Sequence, residues 1–291
     1  MIFSQRTLGV ALLIALSAAC TSDNGLSTHP IGHVAVAAGD FDDVADPLDR
    51  VPVAYATYEG IISAAAWDPT WDPEQVPLKV EGLFTPGQLN RFETVFVASG
   101  VRGLGGRQYN SLERDDHLVS DPAVIDAVRT YVQNGRRTLF VTDWAYDLVE
   151  AAWPGAIDFL GDDIVYDDAQ RGEIGELTAD VVHDGLAGAL GTDAMALSYD
   201  FSNWAVIEGV GEDTTVYLTA DATYRVPSET GDTFETQVAA PMLVSFQPPG
   251  ATGRVVYASF HVDAQSAGAI DQLLTAVVGE LREADVVTET Y

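Results

Sequence analysis

Cysteine and lysine are all but missing from this 291-residue sequence, which has one of each, Cys20 and Lys79. A lone thiol can neither close an intrachain disulfide nor build a thiolate zinc site, so both staples are excluded. The remaining cations are thirteen arginines, set against 44 Asp and Glu for a formal charge of -30. A surface of that sign repels phosphate and lacks the basic footprint of salt-dependent binding, which excludes nucleic acid as a partner. It repels anionic lipid heads as well. The acidic residues form no long uninterrupted block, and they read first as a means of solubility. Also missing is an apolar run fit to cross a bilayer. The run ahead of Cys20 has about nine to twelve residues, where roughly twenty are needed.

What is present begins at the amino terminus. Arg6 supplies a positive start, Leu8 to Leu16 an apolar stretch, and Ser17, Ala18 and Ala19 the small residues that precede cleavage. This is the pattern of a signal peptide, so residues 1–19 are expected to be removed. The stretch Leu16-Ser17-Ala18-Ala19-Cys20 resembles the bacterial lipobox. That resemblance implies a diacylglyceryl group on the Cys20 thiol and acylation, as by palmitate, of the freed amine. Two or three chains anchor a protein durably to a membrane, whereas one exchanges. The implied location is the bacterial cell envelope, and by resemblance to the sorting rule of enteric bacteria, in which Asp after the cysteine retains a lipoprotein in the inner membrane, Thr21 implies the outer membrane. A lipidated Cys20 also leaves no cysteine nucleophile. The chain after cleavage would carry -31 over 272 residues, because only Arg6 is lost among charged groups.

Residues 20–32 are polar and rich in turn formers and read as a tether, followed by one α/β domain over 33–283 and a tail over 284–291. An apolar fraction of 47% is ample for such a core. His33 to Ala38, Val51 to Ala56, Glu93 to Ala98, Arg137 to Thr142 and Arg254 to Phe260 are short apolar runs that predict strands. Between them, helices are predicted from Asp42 to Arg50, from Asp121 to about Gln133, and from Tyr146 to Ala152, with a last one from Ala267 to Arg282. Asp121 is a natural N-cap ahead of Pro122, and Asn134-Gly135 a natural stop. Alternating strands and helices predict a mostly parallel, doubly wound sheet. Residues 160–250 differ: short β-rich runs at Ala194 to Tyr199, Trp204 to Glu208, Thr215 to Thr219 and Met242 to Phe246 predict an elaboration at one sheet edge.

Three places resemble the class I glutamine amidotransferase-like fold, the flavodoxin-like sheet shared with ThuA-like proteins. Ser99-Gly100-Val101-Arg102-Gly103 follows a central strand, where that family places an oxyanion loop. Thr142-Asp143-Trp144 stands at its nucleophile elbow, and His261-Val262-Asp263 stands where it has a His-x-Glu pair. The elbow lacks both the cysteine and its flanking glycines, so glutamine hydrolysis by a thiolate is not available.

The resemblance implies that Asp40, Gly100, Arg102, Asp143, Trp144, His261 and Asp263 meet at one rim beyond the strand ends. From this set, Asp40, Gly100, Arg102 and Trp144 are the expected ligand-binding residues. Asp143 could serve as a nucleophile with His261 as its base and Asp263 orienting the ring. A plainer reading has Asp143 capping the next helix and Trp144 packed in the core. The acidic run Asp40, Asp42, Asp43, Asp46, Asp49 and the group Asp162, Asp163, Asp167, Asp168 do not copy a calcium loop, and Asp42 and Asp43 suit a helix start. His29 and His33 flank Pro30 and Gly32, which breaks any helical metal pair. No metal and no cofactor is predicted. The expected function is a membrane-anchored envelope lipoprotein with a non-catalytic amidotransferase-like domain that binds a ligand or protein partner. Two alternatives stay open: a hydrolase using Asp143 and His261, and a structural envelope protein without a ligand site.

Overall fold

A computed structural model describes residues 34–50, 53–60, 78–101, 103–104, 118–161, 169–201, 204–226, 228 and 231–275. Strands β1 (Val34–Ala38), β2 (Tyr55–Glu59), β3 (Thr94–Val97), β4 (Thr138–Thr142) and β12 (Arg254–Ala258) are parallel and lie in the order β2-β1-β3-β4-β12. That is the flavodoxin-like order, and the crevice where it reverses lies beside β1 and β3. The crossover from β1 to β2 runs one way along the sheet and those from β2 to β3 and from β3 to β4 run the other way, so right-handed connections assign helices to both faces of this half. β1, β3, β4 and β12 are buried almost throughout, as strands covered on both sides must be.

The sheet continues beyond β12 through antiparallel neighbours: β11 (Thr233–Phe246), β10 (Thr214–Val226), β7 (Gly175–Val181) and β8 (Ala194–Tyr199), with β6 (Arg171–Gly172) also on β10. Burial alternates along β7, β8 and β10, the mark of strands with one covered face. β5 (Ile157–Phe159) and β9 (Ile207–Val210) form a separate pair. The fold class is α/β as the alternation predicts, and the β-rich elaboration continues the same sheet.

Local chemistry explains most element ends. Asp121 caps the helix Pro122–Gln133 by accepting the Ala123 N–H at 2.8 Å, with Pro122 at its first position. That helix buries Val124, Ile125, Val128, Tyr131 and Val132 on one side, about 1.5–3 kcal/mol for each large side chain fully covered. The first helix is shorter than expected, Ala45–Arg50, so Pro47 sits in its first turn, where a missing N–H is tolerated. Asp43 precedes it and accepts the Ala45 N–H at 3.1 Å. The second strand is Tyr55–Glu59, not Val51 to Ala56; Val51 and Pro52 lie outside the described residues. Of the last predicted helix, residues 267–275 are described, and they are helical.

Candidate functional site

Four chain segments meet beyond the carboxyl ends of β1, β3, β4 and β12. β4 ends at Thr142, and Asp143 opens a short turn into the helix Tyr146–Ala152. Asp143 adopts φ of +41°, a left-handed conformation that a side chain with a β-carbon rarely takes and that marks stored strain. Its carbonyl accepts the Tyr257 hydroxyl at 2.9 Å and the Tyr146 N–H, so neighbours on β12 and the helix hold the turn. The expected elbow forms without flanking glycines.

Both carboxylate oxygens of Asp143 are engaged. Oδ1 accepts the Ala205 N–H at 2.9 Å; Oδ2 accepts the Ser99 hydroxyl at 3.2 Å and lies 2.7 Å from Nε2 of His261. On the other side of the ring, Nδ1 is 3.3 Å from Oδ1 of Asp200. Asp143 is 1% exposed and His261 5%. Burial pulls the His261 imidazole down, but the bond to Asp143 and the charges of Asp143, Asp42 and Asp200 outweigh it and push the ring up to about 9. At neutral pH the ring therefore keeps its second proton, between Asp143 and Asp200.

Asp42 ties the same segments together from below. Its Oδ2 accepts the Thr142 hydroxyl at 2.6 Å, and its Oδ1 accepts the N–H groups of Val262 and Asp263 at 3.0 and 3.3 Å. Thr142 Oγ1 in turn accepts the Ser99 N–H at 2.9 Å. Burial drives the Asp42 carboxyl up to about 7, against the pull of the His261 charge and the Thr142 bond. Gln265 closes the far side, donating to the carbonyls of His261 and Ser198 and accepting the Ser198 N–H. Asp42, Asp200, Ser99 and Gln265 were not among the expected site residues. Their common signal is position, since each stands at or just past the carboxyl end of a strand or in the loop that follows.

Of the expected rim, the structure brings Asp143 and His261 into direct contact. Asp263 does not orient the ring: its Oδ2 accepts the Asp43 N–H at 3.1 Å, and Asp200 holds the place beside Nδ1. Asp143 does not cap the following helix with its side chain. Trp144 is not a ligand-facing residue. It is buried, edge-on to the Tyr146 ring at 5.4 Å, with the Arg171 guanidinium 5.6 Å away across its face. Gly100 is structural: at φ of +79° it packs under Phe41, where a β-carbon would approach the ring to 2.6 Å. Asp40 joins that packing through its backbone, donating to the Gly100 carbonyl at 3.3 Å. Asp42 begins no helix; it turns inward. Arg102, Cys20, His29, His33 and the group Asp162, Asp163, Asp167, Asp168 lie outside the described residues. Among the described residues, no group of three or more His, Cys, Asp or Glu is placed to hold a metal, and no helix is long and apolar enough to cross a membrane.

A carboxylate that attacks a substrate needs a lone pair facing open space. Asp143 has none to offer as it stands. On the other side of His261, Ser198, Tyr199, Asp200, Phe201 and Trp204 frame a shallow dimple with no room for a water molecule.

No family model and no curated protein matches this chain. Among solved structures it is similar to a protein of Thermoplasma acidophilum designated a GMP synthase component, at 9% identity over 89% of this chain and 98% of that one, TM-score 0.46. It is similar to a glutamine amidotransferase of Thermotoga maritima at 11% identity over 87% and 84% of the two chains, TM-score 0.39. A third likeness is to a β-galactosidase of Rahnella sp. R3, at 12% identity over 81% of this chain but 26% of that enzyme, TM-score 0.45. Likeness at this level says nothing of activity; the chain has an α/β fold with a flavodoxin-like strand order.

Proposed function

We propose that this chain is a lipid-anchored protein of the bacterial envelope whose amidotransferase-like domain binds a ligand or partner and performs no chemistry. One observation carries the non-catalytic part: the residue at the strained elbow is a carboxylate, 1% exposed, with both oxygens taken by Ala205, Ser99 and His261. An elbow built in this way spends its reactive group on holding three loops together. The anchoring rests on the signal-like residues 1–19 and on Cys20. The test is a panel of ester, amide and haloalkane substrates offered to the wild type and to Asp143→Asn. No turnover by either protein supports a binding domain; turnover by the wild type that Asp143→Asn abolishes overturns it.

A second reading, hydrolysis through Asp143 and His261, is favoured by the φ of +41° at Asp143 and its 2.7 Å approach to the imidazole. Strained turns of this kind expose nucleophiles in other folds. It requires the contacts of Asp143 to open when substrate arrives, and the same substrate panel decides it.

A further inference from the structure

One border of the sheet stays open where β11 runs past its neighbour. β12 takes up pairing with β11 only at Leu243, so among the described residues 233–239 of β11 meet a strand, β10, on one side alone. The open stretch ends where Ala239 turns to φ of +51° and gives its N–H to Asp221 Oδ1 at 2.9 Å. Exposed borders are usually guarded by lysine, proline or several charges. This one reads TFETQV over residues 233–238, with Glu235 its single charge. Its two faces differ. Glu235 accepts the Tyr224 hydroxyl at 2.9 Å and Gln237 donates to the Glu208 carbonyl at 3.2 Å, so that face leans on the rest of the molecule. Phe234, Thr236 and Val238 alternate onto the other face, where Phe234 is 57% and Val238 72% exposed.

A free strand border is a template for another strand, and the order of side chains here selects a second copy of itself. Two identical strands pair antiparallel about a two-fold axis with one residue opposite its own copy. Centred on Glu235, the pairing sets two carboxylates face to face, which is unfavourable. Centred on Gln237, it places Phe234 against Ala240, which is buried beyond the turn at Ala239. Centred on Thr236, it matches every position: Phe234 faces Val238 of the second copy, Glu235 faces Gln237, and Thr236 faces itself. Aromatic with β-branched and threonine with threonine are favourable cross-strand pairs. Both exposed apolar side chains are then covered, once in each copy. The chain's formal -30 opposes the approach of a second copy, so added salt should tighten the pair.

We infer that residues 233–238 of β11 are a self-association edge, through which two copies of this chain join their sheets in an antiparallel pair centred on Thr236. This goes beyond the proposed function and needs neither the anchor nor the buried His261. The test uses the full-length chain with Cys20→Ser, in which an introduced cysteine is the only thiol. In the pair, the two copies of residue 236 lie about 4.5–5.5 Å apart between Cα atoms, within disulfide reach. The two copies of residue 238 are offset by roughly 14 Å along the strands. Under mild oxidation, Thr236→Cys is expected to give a disulfide-linked dimer about tenfold faster than Val238→Cys. Phe234→Cys combined with Val238→Cys in one chain should link as readily as Thr236→Cys. Adding Phe234→Ser to Thr236→Cys should slow linking about tenfold, with Tm unchanged because position 234 is exposed. Without oxidation, sedimentation should show a dimer that tightens between about 0.05 and 0.5 M sodium chloride. Equal linking at 236 and 238, linking that Phe234→Ser leaves unchanged, or a monomer at every salt concentration overturns the edge. So does Thr236→Cys that links in cells to a different protein and not to its own copy.

Discussion

Nε2 of His261 lies 2.7 Å from Oδ2 of Asp143 although 118 residues separate them along the chain. The contact joins the loop after β12 to the turn after β4. Each partner is nearly inaccessible, so its first consequence is for stability.

Asp143→Asn keeps the size of the side chain and its tolerance of a left-handed backbone, but removes the charge facing His261. We expect a loss of about 3 kcal/mol, as when one member of a buried pair is deleted, measured by urea unfolding. Asp143→Ala should cost about 1 kcal/mol more, because alanine at φ of +41° is strained. A carboxylate placed for catalysis alone would leave stability unchanged when substituted.

The same pair predicts a pH dependence. His261 binds its proton more tightly in the folded chain, about 9 against the ordinary 6.5. Its contribution is present in full below pH 6.5 and is lost as pH rises through about 9, on the order of 3 kcal/mol. Asp42, raised from 3.8 to about 7, acts in the same direction at lower pH, its burial becoming costlier as pH climbs through that window. Tm should therefore fall between pH 6.5 and 9, and His261→Gln should flatten that fall. Equal slopes in wild type and variant would refute the assignment.

Much of the fold is legible in the sequence because its central strands are covered on both sides and read as apolar runs. Ala194–Tyr199 and Tyr146–Ala152 match their predicted spans. The hairpin of β10 and β11 was visible only in part. Thr215 to Thr219 and Met242 to Phe246 lie within the sheet, whereas residues 233–239 of β11 are mostly exposed, Phe234 and Val238 among them, and form no continuous apolar run. Asp143 and His261 could be placed by their positions after strands. Asp42 could not, because a buried carboxylate amid Asp40, Asp43, Asp46 and Asp49 looks like one more surface charge. Asp200 was hidden for a similar reason: its role depends on β8 reaching the loop after β12, which no local pattern encodes.

Gly39→Ala should disrupt the site without touching its side chains. A methyl at Gly39 would lie 2.0 Å from the Ser99 carbonyl oxygen and 2.9 Å from the Val101 nitrogen. Both are backbone atoms, so the loops after β1 and β3 would have to part. We expect a variant destabilised by several times the usual surface substitution, which stays within about 0.5 kcal/mol, with the His261 titration shifted; unchanged Tm would contradict the packing.

Cys20→Ser tests the anchor. The wild type should incorporate radiolabelled palmitate and sediment with membranes in a bacterial host, and the variant should do neither. Membrane association that survives the substitution would show that something other than lipid on Cys20 holds the protein.

The strand that comes last among those described, β12, lies in the middle of the sheet between β4 and β11. Until Arg254–Ala258 has arrived, the molecule consists of two half-sheets, each with a bare inner border of unsatisfied amides and carbonyls. Those borders are adhesive, and their joining depends on contacts such as the one between Asp42 and Val262, 220 residues apart. Assembly is accordingly expected to be slow and to end with a keystone insertion. A chain cut short of β12 would be a sticky intermediate prone to aggregation, without the contacts that hold His261.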